Sequence, residues 1–194
     1  MNCMIIECHP DDHSFCHAIA MTIKEYVISQ AHSVYYHSLY QENFSPVLSL
    51  EELKRGFSLD EEIQQFTNGI EKSECVVFVH PDWWGGPPAM LKGWIERVFR
   101  SGVAFEFRGD DFEKKHHQSL LENKTAFVFC TSDRQKPEGY SVIEESWKDV
   151  FRYCGIQRSH IELFYNVHDS TYDERQAFLR EIKQIIQKKM PAQE

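Results

Sequence analysis

No stretch of this sequence approaches the roughly 18 consecutive apolar residues that a membrane-spanning helix needs, and its first residues lack the basic, apolar, small-residue layout of a secretion signal. A cytoplasmic protein is therefore expected. Basic residues are scarce: 21 Lys and Arg against 30 Asp and Glu give a net charge of -9, and no Lys/Arg run interleaves with aromatics. Attraction to DNA, RNA or an anionic membrane surface is disfavoured on both counts. The six cysteines, at 3, 8, 16, 75, 130 and 154, include no CxxC pair. Cys3, Cys8, Cys75 and Cys130 sit in or beside apolar runs, so free buried thiols in a reducing compartment are expected. Internal repeats, low-complexity tracts and linkers are also missing. What is present is 42% hydrophobic and 13% aromatic content over 194 residues. That suits one well-buried domain spanning residues 1–194.

Apolar runs of strand length alternate with stretches of helical period along the whole chain. Residues 2–8 (NCMIIEC) are short and apolar, as a buried strand is. Ser14 can cap a helix running to about residue 30, with Phe15, Ile19, Ile23, Tyr26 and Val27 on one face. Residues 33–40 read as a more exposed strand, followed by a polar loop holding Phe44 and Pro46. A helix over 60–72 turns Ile63, Phe66 and Ile70 inward, and CVVFVH at 75–80 is apolar throughout, like a mid-sheet strand. Pro88 suits a first helical turn, after which Leu91, Trp94, Ile95, Val98 and Phe99 form an apolar stripe. Residues 125–130 give another buried strand and 141–155 a helix closed by Gly155; 160–167 make a fifth strand. A last helix over 173–189 has Phe178, Ile182, Ile185 and Ile186 on one side. His116 and His117 are adjacent, cannot both point inward from one regular element, and read as solvated loop.

Five strands, each followed by a helix, predict an α/β fold: a parallel sheet with helices on both faces, because parallel neighbours need helical crossovers. Ligands of such sheets sit beyond the carboxyl ends of the strands, where strand order reverses. The informative loops are those beginning near His9, Pro81 and Thr131.

The first of these loops permits two chemistries. HPDD at a strand end resembles the HPDDE signature of zinc N-deacetylases acting on amidosugars, where His and Asp bind metal and the next Asp serves as base. Here His13 replaces the signature's glutamate, and no downstream two-histidine segment completes a metal shell. So short a motif without its context is usually accidental. The other chemistry uses the helix start. Ser14 and the N–H groups of Phe15, Cys16, His17 and Ala18 point out of a helix N-terminus, whose dipole favours a phosphate without any basic side chain. Taken alone, the loop is better explained by a plain N-cap with no ligand. The PDWWGGP loop shifts the balance. Paired tryptophans at a ligand-facing strand end make a flat aromatic wall, and the two glycines let backbone approach a ring system. A planar partner such as a flavin fits both features.

Three stretches carry a family resemblance. HPDDHSFCHA at 9–18 is similar to a histidine, short spacer, Ser-Phe-Asn-x-Ala pattern, and SLYQENFSP at 38–46 to a Leu-Tyr…Phe-x-Pro stretch. PDWWGGPPAMLKGWIERVF at 81–99 resembles Pro-x-x-Trp-(Trp/Phe/Tyr)-x-x-Pro-(Ala/Pro)-x-Leu-Lys-Gly-Trp-x-(Asp/Glu)-(Arg/Lys)-Val-Phe at almost every position. Over nearly its whole length the chain resembles the flavodoxin-like NAD(P)H:quinone oxidoreductases. That family includes mammalian quinone reductases, bacterial modulator-of-drug-activity proteins and potassium-efflux ancillary reductases.

The resemblance implies a five-stranded parallel sheet of order 2-1-3-4-5. It implies that His9, Ser14, Phe15, Cys16 and Ala18 hold a flavin phosphate and ribityl chain, and that Pro81, Asp82, Trp83, Trp84 and Gly85 line the isoalloxazine. Thr131, Ser132 and Asp133 fall at the flavin edge. Phe105 and Phe107, in GVAFEF, match family aromatics that reach the partner subunit's active site. A homodimer follows, with the Leu91 to Phe99 helix as the expected contact. Two departures stand out. Cys16 occupies a position where the family has Asn, and TSDRQKPEGY replaces a Thr-Thr-Gly-Gly loop with downstream Tyr and His, leaving Tyr140 as the only nearby Tyr.

The implied activity is hydride transfer from NAD(P)H through a flavin to a quinone or similar acceptor in ping-pong order. Trp83, Trp84, Phe105 and Phe107 would position both substrates, and no acid or base is assigned. FMN is expected over FAD, because the chain lacks the C-terminal extension of the mammalian FAD enzymes. Arg108, Arg134 and Arg152 remain open as the residue selecting NADPH over NADH. An alternative role is a flavin-binding regulatory subunit of a membrane transporter.

Overall fold

The computed structural model describes residues 1–109, 116–139 and 141–190; Tyr140 lies outside them. In chain order the elements are β1 (Asn2–Glu7), α1 (Phe15–Ser29), β2 (Ser33–Ser38), α2 (Leu50–Arg55), α3 (Glu61–Lys72), β3 (Cys75–Pro81) and α4 (Ala89–Val98). They continue with β4 (Phe105–Arg108), β5 (His116–Ser119), β6 (Thr125–Thr131), α5 (Val142–Cys154), β7 (Arg158–Phe164) and α6 (Tyr172–Lys189).

The main sheet has the order β2-β1-β3-β6-β7, and every neighbouring pair in it is parallel. Counting only these five strands, this is the expected 2-1-3-4-5 order. β3 and β6 are buried at every residue, because helices cover both faces; their unbroken apolar sequences follow from that position. Residue alternation sends Cys3 and Ile5 of β1 against α1 and α6, and Met4 and Ile6 against the layer of α3, α4 and α5. Each fully buried side chain of this kind stabilises the fold by roughly 2 kcal/mol. All six cysteines are free and buried. The chain leaves β1 toward β2 on one side and returns to β3 on the other, so the order reverses between the carboxyl ends of β1 and β3. Among the described residues no helix is long and apolar enough to cross a membrane.

The structure corrects the sequence reading in two places. His116 and His117 are exposed, as expected, but belong to β5 rather than to a loop. β5 pairs antiparallel with β4 as a separate ribbon, and the His117 ring lies 4.3 Å from the Tyr153 ring and 5.8 Å from that of Phe105. The region after Pro46 also contains the six-residue α2, capped by Ser49 and ended by Gly56 at φ 77°. Boundaries shift slightly as well: the fifth main strand spans Arg158–Phe164 instead of 160–167.

Candidate functional site

Three chain segments leave the carboxyl ends of β1, β3 and β6 and enclose a cleft of about 170 Å³. From the first segment come His9, Ser14, Phe15 and Cys16; from the second Pro81, Asp82 and Trp83; from the third Thr131 and Asp133. Val167, beyond β7, completes the lining and carried no sequence signal.

Ser14 caps α1, its Oγ accepting from the His17 N–H at 3.1 Å, and the Ala18 N–H donates to the Ser14 carbonyl at 3.1 Å. Two of the four expected main-chain donors are thus committed within the helix. The N–H groups of Phe15 and Cys16, first and second in α1, have no intrahelical acceptor and remain for an anion. The preceding loop is ordered by Asp11: its Oδ1 accepts from His13 N–H at 2.8 Å, its carbonyl from Ser14 N–H at 3.2 Å, and its own N–H donates to His9 Nδ1 at 3.1 Å. Among the described residues no group of three or more His, Cys, Asp or Glu is arranged to hold a metal.

The His17 side chain turns away from the cleft. Its Nδ1 lies 3.2 Å from both oxygens of Glu7, which is 1% exposed. Tyr36 O–H also donates to Glu7, and burial together with that carboxylate pushes the phenol well above its usual range. Cys16 Sγ lies 3.2 Å from Thr131 Oγ1, and burial pushes its thiol up to about 12. At neutral pH Cys16 is therefore a packed thiol and not a nucleophile.

The second segment makes a two-residue hairpin. Trp83 N–H donates to Gly86 O at 3.0 Å and Gly86 N–H to Trp83 O at 3.3 Å. Trp84 at φ 61° and Gly85 at φ 87° occupy the turn, which requires positive φ at both positions. A bulky residue is rarely found there. The turn holds because Asp82 lies beneath it: Oδ1 accepts from Gly85 N–H at 2.8 Å and Oδ2 from Ser132 O–H at 2.9 Å. Trp84 is consequently presented at the mouth, 100% exposed. A Cβ on Gly86 would meet nothing within 4 Å, so the approach beside the turn is open.

Ser132 and Asp133 are tied to the segment after β7. Val167 N–H donates to the Ser132 carbonyl at 3.0 Å, and His168 N–H to Asp133 Oδ1 at 2.9 Å. Beyond Asp82 an adjoining cavity of about 100 Å³ is bordered by Arg134, Gln135, Ser141 and Tyr165; burial pushes the Tyr165 phenol up. Phe105 and Phe107 do not reach the cleft. They sit on β4 with ring centroids 5.7 Å apart, Phe107 half-exposed. The apolar stripe of α4 is buried inside the chain at Leu91, Trp94, Val98 and Phe99, while Val47, Leu50, Leu53, Phe57 and Leu59 are exposed.

His80 underlies the site from within the core. Trp147 Nε1 can only donate, so His80 Nε2 must be its acceptor, at 3.0 Å, and Nδ1–H donates to Pro81 O at 2.8 Å. Burial pushes this imidazole down to about 4, against an ordinary 6.5. The unfolded chain therefore binds the proton first, and folding stability falls as pH drops below the ordinary value. Between pH 8 and pH 5 a loss of about 2 kcal/mol is expected, measured by urea unfolding, and His80→Gln should flatten that slope.

A family model described as flavodoxin-like fold matches residues 1–188 of the chain. A Haemophilus influenzae protein named as an uncharacterized NAD(P)H oxidoreductase is 34% identical over 201 residues, covering 99% of this chain and 97% of its own. An FMN-dependent NADH:quinone oxidoreductase of Pelagibacter ubique is 28% identical over 109 residues, 56% of this chain and 53% of that protein. The crystal structure of Smu.1420 from Streptococcus mutans superposes with a TM-score of 0.83 at 26% identity, over 97% of this chain and all of that one (100%).

Proposed function

The chain belongs to this family of flavodoxin-like fold, and from that premise we propose that it is a flavin-dependent NAD(P)H oxidoreductase that reduces a quinone or similar acceptor, with FMN as its flavin. One observation carries the reading. A pair of uncommitted helix-start amides and a tryptophan turn held open by a buried carboxylate face the same cleft. The residues fit the group: the free amides suit a phosphate, the carboxylates of Asp82 and Asp133 are already taken up by the Gly85 N–H, the Ser132 O–H and the His168 N–H, and the open side of the turn suits a flat ring.

In this reading the Phe15 and Cys16 amides and the Ser14 hydroxyl bind the phosphate. Trp83 and Trp84 flank the ring, and Thr131 and Asp133 meet its polar edge; Ser132, expected there as well, is buried with its hydroxyl given to Asp82 and acts by holding that carboxylate. Bound there, the flavin supplies the chemistry, accepting a hydride from NAD(P)H and passing two electrons on to the acceptor. The protein's part is orientation and exclusion of water. Asp82 keeps the turn in place before any ligand arrives, so little ordering is left for binding to supply. Donor and acceptor use the same open side of the turn and therefore take turns there. A homodimer belongs to the reading. Phe105 and Phe107 on β4 would then serve the cleft of a second copy, and the exposed apolar side chains over residues 47–59 offer it a surface.

Anaerobic mixing tests the proposal. Flavin-loaded protein should lose its yellow colour with NADPH or NADH and regain it on addition of a benzoquinone. Colour that persists with both nicotinamides would remove the activity from this fold.

A further inference from the structure

The cavity adjoining the cleft carries one cation that is already aimed. Arg134 stands on the chain leaving β6, with its main chain fixed at both ends: its N–H donates to Ser132 Oγ at 3.2 Å, and its carbonyl accepts from Asn166 N–H at 3.1 Å. Its Nε lies 3.4 Å from Asp82 Oδ2. A Cβ on Gly85 would sit 3.7 Å from Nη2 and 3.8 Å from Nη1, so the guanidinium leans on the tryptophan turn. The side chain is nonetheless 57% exposed. An arginine anchored at Nε keeps its two terminal nitrogens as a directed fork, the geometry that takes a phosphoryl group bidentately.

The other two arginines left open by the sequence are placed differently. Arg108 pairs with Glu106 on β4. Arg152 pairs with Asp149 near the end of α5 and borders a cavity with Ser119 and Gly155 beside the start of β7, at the end of the sheet away from the cleft. Among the described residues that line the cleft and its adjoining cavity, Arg134 is the only Lys or Arg. On a chain of net charge -9 that single cation is where an approaching anion gains most.

We propose that Arg134 recognises a phosphoryl group of the reduced nicotinamide dinucleotide, and so selects dinucleotides over hydride donors that lack phosphate. The inference rests on the flavin-dependent reading above. Two phosphoryl sources share this chemistry, the diphosphate bridge and the 2′-phosphate of NADPH.

The test compares NADPH, NADH and reduced nicotinamide riboside on flavin-loaded wild type, Arg134→Met and Arg134→Lys, with Arg152→Met as control. Tryptophan fluorescence gives the Kd of NADP+ independently of turnover. In Arg134→Met, kcat/KM for the dinucleotide should fall about 10- to 100-fold relative to the riboside, chiefly through KM, and NADP+ should bind weaker by a similar factor. Arg134→Lys keeps the charge without the fork and should recover part of the loss. A loss confined to NADPH assigns the 2′-phosphate; a loss shared with NADH assigns the diphosphate. Equal loss for riboside and dinucleotide, or weaker FMN binding in place of weaker NADP+ binding, reduces Arg134 to a latch on Asp82 and overturns the inference. Flavin uptake with an unchanged dinucleotide-to-riboside ratio overturns it alone, whereas no flavin uptake by wild type removes the functional reading and this inference with it.

Discussion

Gly93→Ala is expected to destabilise the fold by at least about 3 kcal/mol, the upper end of overpacking penalties. A Cβ at this position would lie 2.1 Å from the Pro46 carbonyl oxygen and 2.5 Å from Pro46 Cβ. The obstacle includes backbone, so no side-chain rotation relieves it. α4 rests directly on the turn that follows β2, and only a glycine permits that approach. The contact joins two of the sequence stretches that carry the family resemblance, the Phe-x-Pro segment and the Leu-Lys-Gly-Trp segment. Phe44 and Trp94 both stack edge-on against Phe66, with centroids 5.6 and 5.7 Å away. Urea unfolding should show the midpoint falling sharply for Gly93→Ala. Gly86→Ala, whose Cβ meets open space, should stay within about 0.5 kcal/mol of wild type.

Arg97→Met is expected to be worse, at about 3–5 kcal/mol, because it leaves a buried carboxylate without its partner. Arg97 is 5% exposed and Glu52 8%. The guanidinium donates from Nε to Glu52 Oε2 at 3.2 Å, from Nη2 to Asp60 Oδ2 at 3.0 Å and from Nη1 to the Ser45 carbonyl at 2.7 Å, with its carbon 5.6 Å from the centre of the Phe44 ring. One side chain of α4 thereby ties down the turn after β2, α2 and the cap of α3. Burial raises the Asp60 carboxyl, but the hydrogen bonds from Arg97 and from the Glu62 amide outweigh it and hold the group below its usual range. Adding Glu52→Leu to Arg97→Met should return at least half of the lost stability, since removing both charges also removes the uncompensated one. No recovery in the double variant would mean that the packing of the arginine stem, not the charge pair, carries the effect.

The centre of the main sheet was legible because β1, β3 and β6 are buried on both faces and so read as apolar runs; the helices between the strands repeat at three and four. The β4–β5 ribbon was not legible, because HHQS is polar on both faces and becomes a strand only by pairing with Phe105–Arg108. α2 was hidden by its length and by Leu50 and Leu53, whose apolar side chains face solvent. At the site, position after a strand was enough to bring His9, Ser14, Asp82, Trp83 and Thr131 into one cleft. Which amides remain for an anion depends on how Ser14 caps the helix, and the contacts of Glu7 with His17 and Tyr36 join residues up to 29 positions apart. Such pairings arise from the folded sheet and leave no local pattern.

Titrating the flavin-free protein with FMN while following tryptophan emission tests the central claim most directly. Trp83 lines the cleft and Trp84 follows it in the turn, so saturable quenching with one FMN per chain is expected, and riboflavin, which lacks the phosphate held by the Phe15 and Cys16 amides, should bind at least about tenfold more weakly. Emission that stays unchanged with both compounds, or equal affinity for the two, would contradict the account.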